Sequence, residues 1–164
     1  MNAFSGWVIL LAVAAAVDGL LAGASLDQSI KQLPARHRIG IAAFSAYSRA
    51  SDQANGLVWY TSLGIGGALL TMAAAGWSLA LQLPIWVSVP VLAAGGLAIA
   101  HSLTTARAAP INWSQRAAGE DELALGGIFQ RFERWQTARA LLQLATFLAA
   151  TCALAVIAGD LAGH

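Results

Sequence analysis

Four long apolar runs separated by polar connections constrain this chain more than any other feature: residues 4–26, 56–81, 85–105 and about 128–159. At about 1.5 Å of rise per residue, each is long enough as a helix to cross a hydrocarbon core about 30 Å thick. The expected fold class is therefore all-α. A single membrane domain over residues 1–164 would form a bundle of four transmembrane helices. Composition agrees, with 58% apolar and 10% charged residues, where soluble domains carry about 25% charged residues. The lipid bilayer is then the first partner, and a net charge of +1 gives no reason to expect nucleic acid.

The connections carry the remaining signals. Lys31, Arg36, His37, Arg38 and Arg49 follow the first run, and Pro34 is placed to end one helix and begin another. Ile39-Gly40-Ile41-Ala42-Ala43-Phe44, with Tyr47 and Arg49, reads as a short amphipathic helix lying at the membrane surface between the first two spans. Gln82-Leu83-Pro84 reads as a tight turn, and the third span holds Pro90 and Gly95-Gly96. The nine Lys and Arg residues belong to the first and third connections and their flanks. The positive-inside rule then puts both basic connections in the cytoplasm and both termini outside, most naturally in a bacterial inner membrane. Trp7, Trp77 and Trp86 fall at the opposite ends, where an aromatic belt is expected. Ala22-Gly23-Ala24 is similar to a signal-cleavage site. No Lys or Arg precedes Trp7, however, and Asp18 interrupts the apolar run, so the segment is expected to stay as a span.

Residues 101–143 concentrate the polar groups of an otherwise greasy chain, and they read as both a connection and the mouth of a site. Asp18 and His101 lie at depth, where a carboxylate costs about 2.5–3.5 kcal/mol to insert and needs a polar neighbour. Two readings stay open for Asp18: a proton acceptor in a pocket, or a structural hydrogen bond to another helix. Asp27 has a plainer account in Lys31 one turn later. His101 suits proton transfer or metal binding, or it packs as a hydrogen-bonded core residue. No second His stands at ligand spacing, since His37 is in a basic connection and His164 ends the chain. No cofactor is evident, and a metal held by Asp18 and His101 stays conceivable. Arg131, Trp135 and Arg139 recur every fourth residue, with Gln143 and Thr146 near the same face. Arg139 is expected to turn inward and pair with Asp18 or Asp52. Lone Cys152 permits no internal disulfide and is expected to be a small buried hydrophobe. Gly19 and Gly23 form a G-x-x-x-G pair that favours close helix packing.

Several short motifs then point further. They are Gly19-Leu20-Leu21-Ala22-Gly23, Leu33-Pro34-Ala35, Ala109-Pro110-Ile111-Asn112, and Arg131-Phe132-Glu133-Arg134-Trp135-Gln136-Thr137-Ala138-Arg139. Together they resemble the anthrone-oxygenase-like family of small four-helix membrane proteins. That resemblance implies oxidation of an apolar aromatic, polyketide-type substrate by O2, and it points to Asn112, Arg134, Trp135 and Arg139. The candidate catalytic set is Asp18, His101, Asn112 and Arg139, with Asp18 or His101 as the base and Asn112 or Arg139 stabilising an enolate oxygen. Trp135, Gln143, Tyr47, Asp52 and Asn55 are candidate substrate-binding residues. The competing expectation is a non-catalytic membrane subunit or scaffold, a homo-oligomer or part of a larger membrane complex, packing through small-residue faces. A small transporter is disfavoured because no inverted repeat is evident.

Overall fold

The structure, a computed structural model, describes residues 2–162; His164 lies outside the described residues. Its four long helices each reach or exceed the length and apolarity needed to cross a membrane, so the chain is an integral membrane protein. Helix α1 covers Ala3–Ile39, α2 Ile41–Ala80, α3 Ile85–Trp113 and α4 Glu122–Ala162. Helix α1 packs on α2 and α4, and α3 packs on the same two, which closes an up-down-up-down ring.

Local chemistry explains where each helix ends. Helix α1 does not stop at Asp27 or Pro34. A π-helical turn at Gln28–Gln32 carries it on, with the Leu33 N–H reaching back to the Gln28 carbonyl. This wider turn makes room for the ring of Pro34, which would otherwise clash with a carbonyl one turn back. Gly40 then breaks the rod with φ +88° and ψ 149°, a conformation glycine adopts without strain. The turn before α3 puts Gln82 at φ 49°, and the Leu83 N–H bonds the Ser78 carbonyl. Helix α4 begins at Glu122, six residues before the apolar run does, because Asp121 caps it. Its Oδ1 accepts from the N–H groups of Leu123 (3.0 Å) and Ala124 (3.1 Å). Residues 101–143 are accordingly helical apart from Ser114 and the turn at residues 119–121, not an extended connection.

The amphipathic segment Ile41–Ala50 is present as a helix, and its apolar side faces the bundle. Phe44 meets Phe129 of α4 edge-on with centroids 5.0 Å apart, and Ser45 Oγ donates to Gln115 Oε1 at 3.0 Å. A second π-helical turn, Ser51–Asn55, joins it to the second span with no loop between.

The interior has three layers. One apolar cluster centres on Trp7, Leu11, Val91 and Ala150 at the end where α2 turns into α3. A second centres on Leu33, Leu125, Phe129 and Phe132 at the basic end. Between them the buried residues turn polar: Asp18, Ser25, Gln28, Thr71, His101, Gln136, Gln143 and Thr146. Trp7 belongs to the first core and not to an interfacial belt. It is fully buried, and its indole N–H donates to the Ala74 carbonyl at 2.8 Å, whereas Trp77 and Trp86 do face outward. Cys152 also departs from expectation, because its position on α4 points away from the core and leaves it exposed on the bundle flank.

Candidate functional site

The polar layer opens into a cavity of about 380 Å³ between α2, α3 and α4, with α1 as its back wall. That volume falls within the range of small-molecule sites, roughly 300–1,000 Å³. His101 and Asn112 reach it from α3, Arg139 and Gln143 from α4, Gln28 from the first π-helical turn and Asp52 from the second. The two π-helical turns thus lie on facing helices and bring their polar residues to one level. Leu21, Leu57, Ile65, Trp113 and Phe132 supply apolar wall.

Within this site some polar groups are hydrogen-bonded and others are not. Asp52 Oδ2 accepts from Ser48 Oγ (2.9 Å) and Gln28 Nε2 (3.1 Å). Gln28 Oε1 in turn accepts from Arg139 Nη2 at 3.2 Å, so a neutral amide links the carboxylate and the guanidinium. The expected direct pairing of Arg139 with Asp18 or Asp52 is replaced by this relay. Asn112 Oδ1 is committed to Gln115 Nε2 at 2.8 Å, which leaves the Asn112 side-chain amide N–H groups as the ones free for another molecule. By contrast, His101 Nε2, Arg139 Nε and Gln143 Oε1 are enclosed and have no hydrogen-bond partner. His101 is 1% exposed and Gln143 3% exposed. Leaving such groups unmade costs about 1–3 kcal/mol each. His101, Arg139 and Gln143 all line the cavity, whereas four other buried atoms without partners, Asp18 Oδ1, Ser25 Oγ, Ser29 Oγ and Gln136 Oε1, belong to residues that do not.

The remaining sequence candidates lie elsewhere. Asp18 does not line the cavity. Its Oδ2 accepts from Thr71 Oγ1 at 2.7 Å, and its Oδ1, without a donor, presses against Gly67 where α1 meets α2. Trp135 is 39% exposed and outside the cavity. Tyr47 and Asn55 border a second opening of about 280 Å³, which shares Asp52, Gly56 and Tyr60 with the first. Arg36 ties the connections together by donating to Glu133 Oε2 and the Leu33 carbonyl, both at 2.7 Å. Among the described residues, no three His, Cys, Asp or Glu side chains gather in a way that could hold a metal ion.

Sequence reasoning missed Gln28 and Tyr60. Gln28 was legible only as part of a polar stretch leaving the membrane, and Tyr60 sits in an apolar run with no charged residue between Asp52 and the end of the span. Comparison with protein-family models, with curated proteins and with solved structures finds no match.

Proposed function

We propose that the cavity binds an apolar aromatic ketone or phenol and that the protein is an anthrone-oxygenase-like oxidoreductase of the membrane. What supports this reading is that His101, Arg139 and Gln143, each carrying a buried polar atom without a partner (Nε2, Nε and Oε1), line one cavity. Of the two candidate bases, His101 is favoured, because Asp18 is engaged by Thr71 outside the cavity. A ring methylene flanked by aromatic rings and para to a carbonyl is acidic, since its anion is a delocalised phenolate. His101 takes that proton. Arg139, with the Asn112 amide N–H groups, stabilises the oxyanion, a kind of contribution worth about 2.7–4 kcal/mol per donor in other enzymes. The carbanion carbon passes one electron to O2, and the two radicals combine into a peroxide anion, which the His101 imidazolium protonates. Loss of the second C–H proton with O–O cleavage leaves a carbonyl and water. In balance, one methylene and one dioxygen become one ketone carbonyl and one water.

In the same reading the basic end faces the cytoplasm and the end that carries the start of α1 and the end of α4 lies on the opposite side, as in a bacterial inner-membrane protein. Grouping of Lys31, Arg38, Arg49, Arg107, Arg116 and Arg134 around the end that carries Gly40 and Gly119 supports that orientation. The test of the chemistry is direct. Purified protein in lipid nanodiscs, given anthrone and O2, is expected to form anthraquinone with equimolar O2 uptake, and His101→Ala is expected to slow it at least 100-fold. Wild-type rates in His101→Ala would remove this mechanism.

A second reading, a non-catalytic subunit, draws on Gly23, Gly76 and Gly96, where an added Cβ meets nothing within 4 Å on exposed helix faces. Copurification of a stoichiometric partner from native membranes, with no anthrone oxidation, would favour it.

A further inference from the structure

We infer that the cavity's occupant is a membrane-dissolved amphipath that enters sideways through the seam between α2 and α3, leaving its apolar tail in that seam. The inference deepens the proposed function by naming the physical form and route of the substrate, and it rests on that reading only for the chemistry of the head group.

The walls of the cavity are not alike. Its back is sealed: Leu21, Gln28, His101, Phe132 and Gln143 are all buried. Its front is formed by residues that line the cavity and are also exposed on the bundle flank, namely Leu57, Thr61 and Ile65 of α2 and Ser102, Ala106 and Ala109 of α3. The opening therefore lies on one seam. Towards the other end the same two helices close on each other, with Gly95 so near α2 that an added Cβ would stand 3.1 Å from the Ala75 Cβ. Helices that touch there and part towards the basic end leave a slot along the flank. Leu57, Thr61 and Ile65 fall within the second apolar run and Ser102 within the third, while Ala106 and Ala109 continue the slot beside Arg107 at the basic end, so the slot opens along the flank where the third span ends. Its rim is small where the helices part. Gly64 lines the cavity, and a Cβ added there meets nothing within 4 Å. Ala106 and Ala109 are equally short opposite it.

This geometry pairs a polar, incompletely bonded interior with an apolar slot open to lipid. A water-borne ligand would instead use the second opening, whose rim is polar and aromatic: Gln32, Tyr47, Ser51, Asn55 and Trp59. A molecule with an oxygen head and an apolar tail satisfies His101, Arg139 and Gln143 with the head and the slot with the tail. Apolar transfer favours delivering it from the bilayer, where such a molecule concentrates.

The experiment uses an alkyl phenol with a diazirine in its chain, loaded into phosphatidylcholine vesicles that hold the full chain, with photo-adducts mapped by mass spectrometry. Adducts are expected on the sealed wall at Leu21 and Phe132, which lipid cannot otherwise touch. Gly64→Leu and Ala106→Phe, which fill the slot, should each cut those adducts at least tenfold. Outward positions such as Ile9 and Leu148 should label as before, which reports that the bundle is intact. Gln32→Trp, at the second opening, should leave the pattern unchanged. Absence of wild-type adducts at Leu21 and Phe132, or their loss in Gln32→Trp, would overturn the inference, and both outcomes are readable even if a slot variant fails to fold. Labelling requires no turnover. Adducts at Leu21 and Phe132 in a protein that does not oxidise anthrone would therefore sink the oxygenase reading and leave this route standing.

Discussion

Replacing Gly67 by Ala sets two well-characterised effects against each other. In an open helix the change would stabilise by about 1 kcal/mol, because glycine is the poorer helix former. At position 67, however, the new Cβ would stand 2.7 Å from Asp18 Oδ1 and 3.3 Å from Val17 Cγ1. Carbon and oxygen at that separation must part by several tenths of an ångström. Asp18 cannot retreat freely, since it is buried and its other oxygen is held by Thr71 at 2.7 Å. Overpacking of this kind costs about 1–3 kcal/mol, and a weakened hydrogen bond to Thr71 adds up to about 1.5 kcal/mol. The net expectation is a loss of about 2 kcal/mol. Equilibrium unfolding in detergent would compare wild type, Gly67→Ala, Asp18→Ala and the double variant. With the carboxylate gone, Gly67→Ala should become neutral or stabilising by up to about 1 kcal/mol, so the sign of one substitution depends on the other residue. The reasoning is refuted if Gly67→Ala is as stable as wild type, or if it shifts stability equally in both backgrounds.

Three further outcomes follow from the contacts described. Trp7→Phe keeps most of the ring but loses the bond to the Ala74 carbonyl, and thermal unfolding should show a loss of about 1 kcal/mol; an unchanged midpoint would mean the indole N–H contributes nothing there. Arg36→Ala removes donors to both Leu33 and Glu133 and should cost about 2 kcal/mol, whereas Glu133→Gln, at a partly exposed carboxylate, should cost less than about 1 kcal/mol. Equal losses would place the energy in the ion pair and not in the tie to the backbone. Cys152, outward on the lipid-facing flank, should resist a charged maleimide in vesicles and react with it once the chain is unfolded in denaturant; rapid modification in intact vesicles would place it in water.

The number of spans was legible in the sequence because long apolar runs have one low-energy solution in a bilayer: helices that satisfy their own backbone. So was the turn at Gln82, where proline and a helix end coincide. What failed were the helix ends on the basic side. Asp27, Gln28 and Lys31 look like chain leaving a span, yet the helix does not break before Gly40, because the π-helical turn absorbs Pro34. The same turn lifts Gln28 to the level of Asp52 and Arg139, which periodicity of 3.6 residues does not anticipate. His101, Arg139, Gln143 and Asp52 were singled out because polar residues in or beside apolar runs need partners, Asn112 by the resemblance, and all five border one cavity. Asp18 met the same criterion and sits elsewhere. A buried acid can be seated by a neighbouring hydroxyl as well as by a site, and only the packing of α1 on α2 tells which. Trp135 shared its spacing with Arg139, but each step of four residues turns about 40° around the helix, and Trp135, at the edge of that face, is 39% exposed and outside the cavity that Arg139 lines.

The proposed function requires that the unpartnered groups of His101, Arg139 and Gln143 bind a molecule in the cavity. An experimental structure of the protein in lipid nanodiscs, prepared from its native membrane, tests this most directly. Non-protein density within hydrogen-bond distance of His101 Nε2 and Arg139 Nε, extending towards the seam between α2 and α3, is the predicted result. A collapsed cavity in which protein side chains satisfy both groups would contradict it.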